Sequence, residues 1–185
     1  MLRQTIFAAA AVALAALAAC SSSSSTSSSS SSGSTSSSGS SGSGCTAYNP
    51  GTIDLTTPVI SFKNDVVAGV FNKSCGLSTS CHGSATASQA GLFLGGKTAA
   101  GSDASQVHAA IVGVVSKDLV TMPLVTANDP SKSFLLRKMD GDQCLFDAQC
   151  TGGTCQTPMP QGSDILPTTS RDVVRRWIAQ GAQNN

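Results

Sequence analysis

Cys75-Gly76-Leu77-Ser78-Thr79-Ser80-Cys81-His82-Gly83 is the stretch on which the reading of this chain turns. Five residues separate the two cysteines, and a histidine follows the second at once. Upstream, Ser61 is placed to cap a helix in which Phe62, Val66, Val67, Val70 and Phe71 recur at helical spacing and run into Cys75. Downstream comes a loop with Gly91, Gly95, Gly96 and Gly101, in which Leu92 and Leu94 are the apolar points. Further out, Asp103 or Ser105 can start a helix bearing Val107, Ala110 and Ile111. Asn128-Asp129-Pro130-Ser131 reads as a turn feeding a short helix with Phe134, Leu135 and Arg137 to Met139. Thr168 or Thr169 can cap a last helix that carries Val173, Val174, Trp177 and Ile178 and ends at Gly181. No alternating run reads as a strand. The expected class is mostly α, a small helical domain with long loops over residues 45–185.

Ahead of this domain the chain changes character. Arg3 supplies a short positive region, and Ile6 to Ala19 is an unbroken apolar run of about 14 residues, shorter than the ~20 a membrane-spanning helix needs. The run ends in Leu17-Ala18-Ala19-Cys20, which resembles a bacterial lipobox. That resemblance implies a signal peptide over 1–19 and a Cys20 that becomes the acylated first residue; an ordinary cleaved signal leaving Cys20 as a thiol is the alternative. More than one acyl chain on Cys20 would meet the requirement for stable membrane anchoring. Residues 21–44 are only Ser, Thr and Gly, so they bury no apolar surface to offset ordering entropy. A disordered tether is expected there, spanning roughly 25–30 Å as a Gly/Ser coil. Ser21 resembles the outer-membrane sorting default of lipoproteins. The expected location is the bacterial cell envelope, lipid-anchored, at the outer membrane.

Composition closes off several functions. The formal charge is +1, and no basic cluster exceeds Arg171, Arg175 and Arg176, which read as an exposed helix face, so nucleic acid is not an expected partner. Glutamate is absent and only scattered Asp remains, which leaves no acid–base pair to read as a hydrolytic centre. Asp140, Asp142 and Asp147 lack calcium-loop spacing and are expected to be solvated. Cys144, Cys150 and Cys155 have no histidine near them, so a disulfide loop is expected in an exported chain rather than a metal site. With Cys45 they allow three pairings, and the sequence does not choose among them.

The chemistry lies in Cys81-His82. A cysteine followed directly by histidine is the core of c-type haem attachment: sulfurs bond the macrocycle and the adjacent imidazole becomes the proximal ligand. Thr157-Pro158-Met159-Pro160 offers a methionine braced by prolines, a soft sixth ligand. Met122-Pro123 reads as packing, and His108 as a half-buried structural histidine.

Five pieces stand in order: Cys81-His82-Gly83, Gly91-Leu92-Phe93-Leu94, Asp129-Pro130-Ser131-Lys132-Ser133-Phe134-Leu135, Met159-Pro160 and Trp177-Ile178-Ala179-Gln180-Gly181-Ala182. Over residues 62–182 this order resembles a c-type cytochrome domain of the kind found in lipoproteins of myxobacteria and planctomycetes. The resemblance implies a cytochrome c-like fold, one haem c on Cys75 and Cys81, iron ligands His82 and Met159, and an apolar wall of Phe71, Leu92, Leu94, Trp177 and Ile178. It implies an electron carrier with a redox protein partner rather than an enzyme. The usual attachment motif has two residues between its cysteines, so the five found here must bulge for both sulfurs to reach one haem. The alternative is a haem-free binding or structural module of the envelope, stapled by a Cys75–Cys81 disulfide.

Overall fold

The computed structural model describes residues 45–96 and 104–185, so Cys20 and the serine tether lie outside the described residues, as do Gly101 and Asp103. Helix α1 is wound as a π-helix over Phe62–Phe71 and closes in an α-turn, Asn72–Ser74. Helices α2 (Ala104–Ile111), α3 (Phe134–Asp140) and α4 (Thr168–Ala179) follow, joined by loops that contain short 3-10 turns. Among the described residues no strand forms; the chain is mostly α, with only isolated bridges between Val112 and Val125 and between Val115 and Pro123.

The apolar spacing explains the winding of α1. Phe62, Val66, Val67, Val70 and Phe71 are all buried, in steps of four and five that suit hydrogen bonds reaching back five residues. The Asn72 N–H accordingly donates to Val67 O as well as to Val70 O. The N-terminal amides of α1 are satisfied from two sides. Ser61 Oγ accepts from Asn64 N at 3.3 Å, and Asn185 reaches across to accept from Phe62 N at 2.8 Å and Lys63 N at 3.0 Å. At α4 the expected threonine caps give way to Pro167, which occupies the cap position, while Thr168 Oγ1 accepts a bond from Arg171 instead.

Helix α1 packs on α2 and α4, and α3 packs on α4. The main core joins Phe62, Val66, Val67, Val70, Phe71, Cys75, Leu94, Ile111, Leu136, Met139, Val174, Trp177 and Ile178. The Phe62 and Trp177 rings stack at 4.5 Å, and burying one side chain of this size is worth about 1.5–3 kcal/mol. His108 stands edge-on to Phe62, with Nε2 donating to Ala182 O at 2.7 Å, the structural role its sequence context predicts. A second cluster of Leu119, Phe134, Cys150 and Cys155 takes in Met122 as packing.

Two expectations about charge are corrected. Asp140 and Asp142 are buried, not solvated, and Arg171 and Arg175 are buried as well. Asp140 receives Arg171 at 2.8 Å and also pairs with Arg175, while Asp142 receives Arg137 at 2.9 Å. The reason is tertiary: the end of α3 meets the side of α4, and Tyr48 lies over both guanidiniums, 4.2 Å from Arg171 and 5.1 Å from Arg175. Tyr48 belongs to an extended strap, residues 45–60, that crosses these helices. Disulfide Cys45–Cys144 staples its start, and Gln180 binds its end through Ile60 N and the carbonyls of Leu55, Thr56 and Pro58.

Candidate functional site

Helix α1 delivers Cys75 into the core, where it is 7% exposed and packs with Phe71 and Leu94. The Cys75 N–H closes the helix on Phe71 O at 2.8 Å, and Gly76 N bonds the same carbonyl at 2.7 Å. The chain then leaves the core: Leu77, Ser78, Thr79 and Ser80 are exposed. It folds back through Cys81 N and Gly83 N, both bonded to Ser78 O, and His82 N donates to Cys75 O at 3.0 Å. With two residues between the cysteines, a bond from the histidine amide to the first cysteine's carbonyl would be an ordinary i to i−4 helical bond. The same bond forms here across the longer spacer because the extra residues are extruded to solvent. Close approach permits the fold-back: a Cβ on Gly76 would sit 2.0 Å from Gly95 O, and one on Gly83 would sit 2.7 Å from Gly76 O.

His82 is buried, with Nδ1 3.1 Å from Leu92 O. A carbonyl only accepts, so Nδ1 carries the proton and Nε2 is the nitrogen left with a lone pair. Leu94 N donates to His82 O at 2.9 Å, which ties the Gly-Leu-Phe-Leu segment to both ends of the histidine. Burial depresses the imidazole pKa below its ordinary value; the Leu92 and Gln89 carbonyls oppose that, and the Lys138 charge adds to it. The ring is therefore held neutral, the form that binds a metal. Burial pushes the Cys75 thiol up to about 11, with a Ser74 hydroxyl 3.4 Å away working against the rise and the Cys81 charge adding to it.

Met159 is half-buried on the loop before α4, and its N–H donates to Lys138 O at 2.8 Å. Met139, by contrast, is buried in the main core, and Met122 packs in the second cluster. Of the apolar wall, Phe71, Leu94, Trp177 and Ile178 are buried in the same cluster as Cys75, and Leu92 packs against it. Sequence reasoning passed over Lys138, a buried cation on α3 whose charge acts on His82. Its signal was present as a lysine next to Arg137, set between apolar Leu136 and Met139.

The cysteine pairing left open by the sequence resolves as Cys45–Cys144 and Cys150–Cys155, with Cα separations of 5.8 and 5.2 Å. Cys75 and Cys81 lie outside both bridges, so the Cys75–Cys81 staple of the haem-free alternative is not formed. Among the described residues no three His, Cys, Asp or Glu side chains group as a compact metal site. The donors that are present fit haem c by chemistry: two thiols in one loop, a neutral imidazole with its second nitrogen pinned, and a thioether on a separate loop. Comparison with family models, with curated proteins and with solved structures finds no match to this chain.

Proposed function

We propose that this chain is a lipid-anchored electron carrier of the bacterial cell envelope, a c-type cytochrome domain with one haem on Cys75 and Cys81 and with His82 and Met159 as iron ligands. The observation that carries this reading is the extruded spacer. The His82 N to Cys75 O bond restores the backbone relation of a two-residue motif despite the five residues between the cysteines. When bound, haem c supplies a one-electron change at its iron. The chain's own residues do the rest. Leu92 O fixes the tautomer and plane of His82, and the cluster around Cys75, Leu94, Trp177 and Ile178 keeps water out. Cys20 and the segment 21–44 act as anchor and spacer that hold the domain near a membrane-bound redox protein.

One experiment tests both halves. The full chain is expressed with export, lipidation and haem-attachment machinery, and each fraction is examined by visible absorption. A red membrane fraction is expected, with the colour moving to the soluble fraction in Cys20→Ser. Colourless protein would defeat the haem reading. Red Cys20→Ser protein that stayed in the membrane would defeat the lipid anchor.

A further inference from the structure

Lys138 stands in the last turn of α3, between Arg137 and Met139, and is buried with Leu136 and Met139. Its ammonium finds a backbone carbonyl as partner: Nζ donates to Cys155 O at 2.7 Å. Its own carbonyl accepts the Met159 N–H at 2.8 Å. One residue thus grips the segment 155–159 at both ends, by its side chain at Cys155 and by its main chain at Met159. The anchorage at Cys155 is reinforced by the Cys150–Cys155 disulfide and by Asp147 Oδ1, which accepts Cys155 N at 2.7 Å. Gln143 Nε2 holds the next carbonyl, Gln156 O, at 3.0 Å. A leucine at position 138 would suit the surrounding apolar positions without the cost of burying a charge, so a buried ammonium needs a reason.

We propose that Lys138 is a positioning residue for Met159, its side-chain ammonium holding the loop that carries the thioether. The inference rests on the haem reading and on His82 and Met159 as its ligands.

The test uses the haem-bearing full chain and Lys138→Met, close to lysine in length and without the donor or charge, beside Lys138→Arg, which keeps both. In Lys138→Met the weak sulfur-to-iron absorption band is lost or reduced and the midpoint potential falls. Added imidazole also displaces Met159 more readily, by about tenfold, the weight of one charge-assisted bond. Lys138→Arg retains the band and the potential. In a Met159→Ala background, Lys138→Met leaves imidazole affinity unchanged, which a purely structural effect would not do. Folded Lys138→Met protein with the parent band and the parent imidazole affinity would overturn the proposal. If Lys138→Met does not accumulate, Lys138→Leu, neutral and without a donor, is expected to give the same changes. Failure of both to fold would assign Lys138 to the fold alone and overturn the positioning role. Colourless parent protein defeats the haem reading, whereas red parent protein with a silent Lys138→Met defeats only this inference.

Discussion

Cys75 shows how one residue can report whether the cofactor is attached. Burial in the core raises its thiol to about 11, because an ionised sulfur there would lose its hydration. A folded-state pKa raised above the unfolded value contributes stability that is fully present below pH 9 and lost as pH climbs towards 11. The shift corresponds to about 2–3 kcal/mol, so haem-free protein is expected to lose that much stability across this alkaline window, and Cys75→Ala protein is not. Urea unfolding at a series of pH values reads the difference. In haem-bearing protein the sulfur is a thioether and cannot ionise, so the step vanishes. An alkaline step of equal size in all three proteins would place its origin elsewhere. The histidine one loop away was legible as a candidate ligand because Cys81 precedes it directly. Its pinning by Leu92 was not, since a backbone acceptor leaves no trace in residue type.

At the scale of elements, the loop from Cys75 to Gly83 depends on backbone passing backbone at Gly76. The Cβ of an alanine there would lie 2.0 Å from Gly95 O and 2.8 Å from Gly95 C, and neither is the flexible end of a side chain. Gly76→Ala is therefore expected to cost about 3 kcal/mol or to part the loop from the Leu92–Gly96 segment. A fall in the urea midpoint is the measurable result, with weaker haem incorporation where the proposed function holds; a neutral substitution would show that the two segments are not in contact. The spacer itself, Leu77 to Ser80, is exposed, so Thr79→Ala should be silent in both assays. Helix α1 teaches a related lesson. Its buried positions were readable from the sequence, but their four- and five-residue steps match a π-winding that the general helical pattern does not separate from an α-helix.

The described domain is closed by contacts between the strap at 45–60 and helix α4. Cys45 and Cys144 are 99 positions apart, while Cys150 and Cys155 are separated by only 5. Loop-closure entropy gives about 4–5 kcal/mol for the first bridge and about 2 kcal/mol for the second. Removing Cys45–Cys144 by paired serine substitutions should therefore lower the unfolding free energy by roughly twice as much as removing Cys150–Cys155. Urea denaturation of the two double variants checks the ratio. Equal losses would mean that the strap is held by Gln180, Arg176 and Tyr48 rather than by its disulfide.

The sequence by itself determined the helical class and the positions of the helices, and it supplied the compositional contrast between the apolar run, the serine segment and the rest of the chain and the candidate set Cys75, Cys81, His82 and Met159. These follow from local periodicity, from composition and from residues adjacent in the chain, which need no knowledge of the fold. Tertiary structure decided the disulfide partners, the burial of Asp140 and Asp142 under arginines, the extrusion of the spacer and the grip of Lys138 on the Met159 loop. Cys45–Cys144 and Arg171–Asp140 join groups remote in sequence, Arg137–Asp142 and Cys150–Cys155 pair groups five residues apart whose partners are chosen by packing, and the rest work through backbone atoms common to every residue. Their free energy depends on which surfaces meet after the chain has packed, and that is information no local window of residues contains.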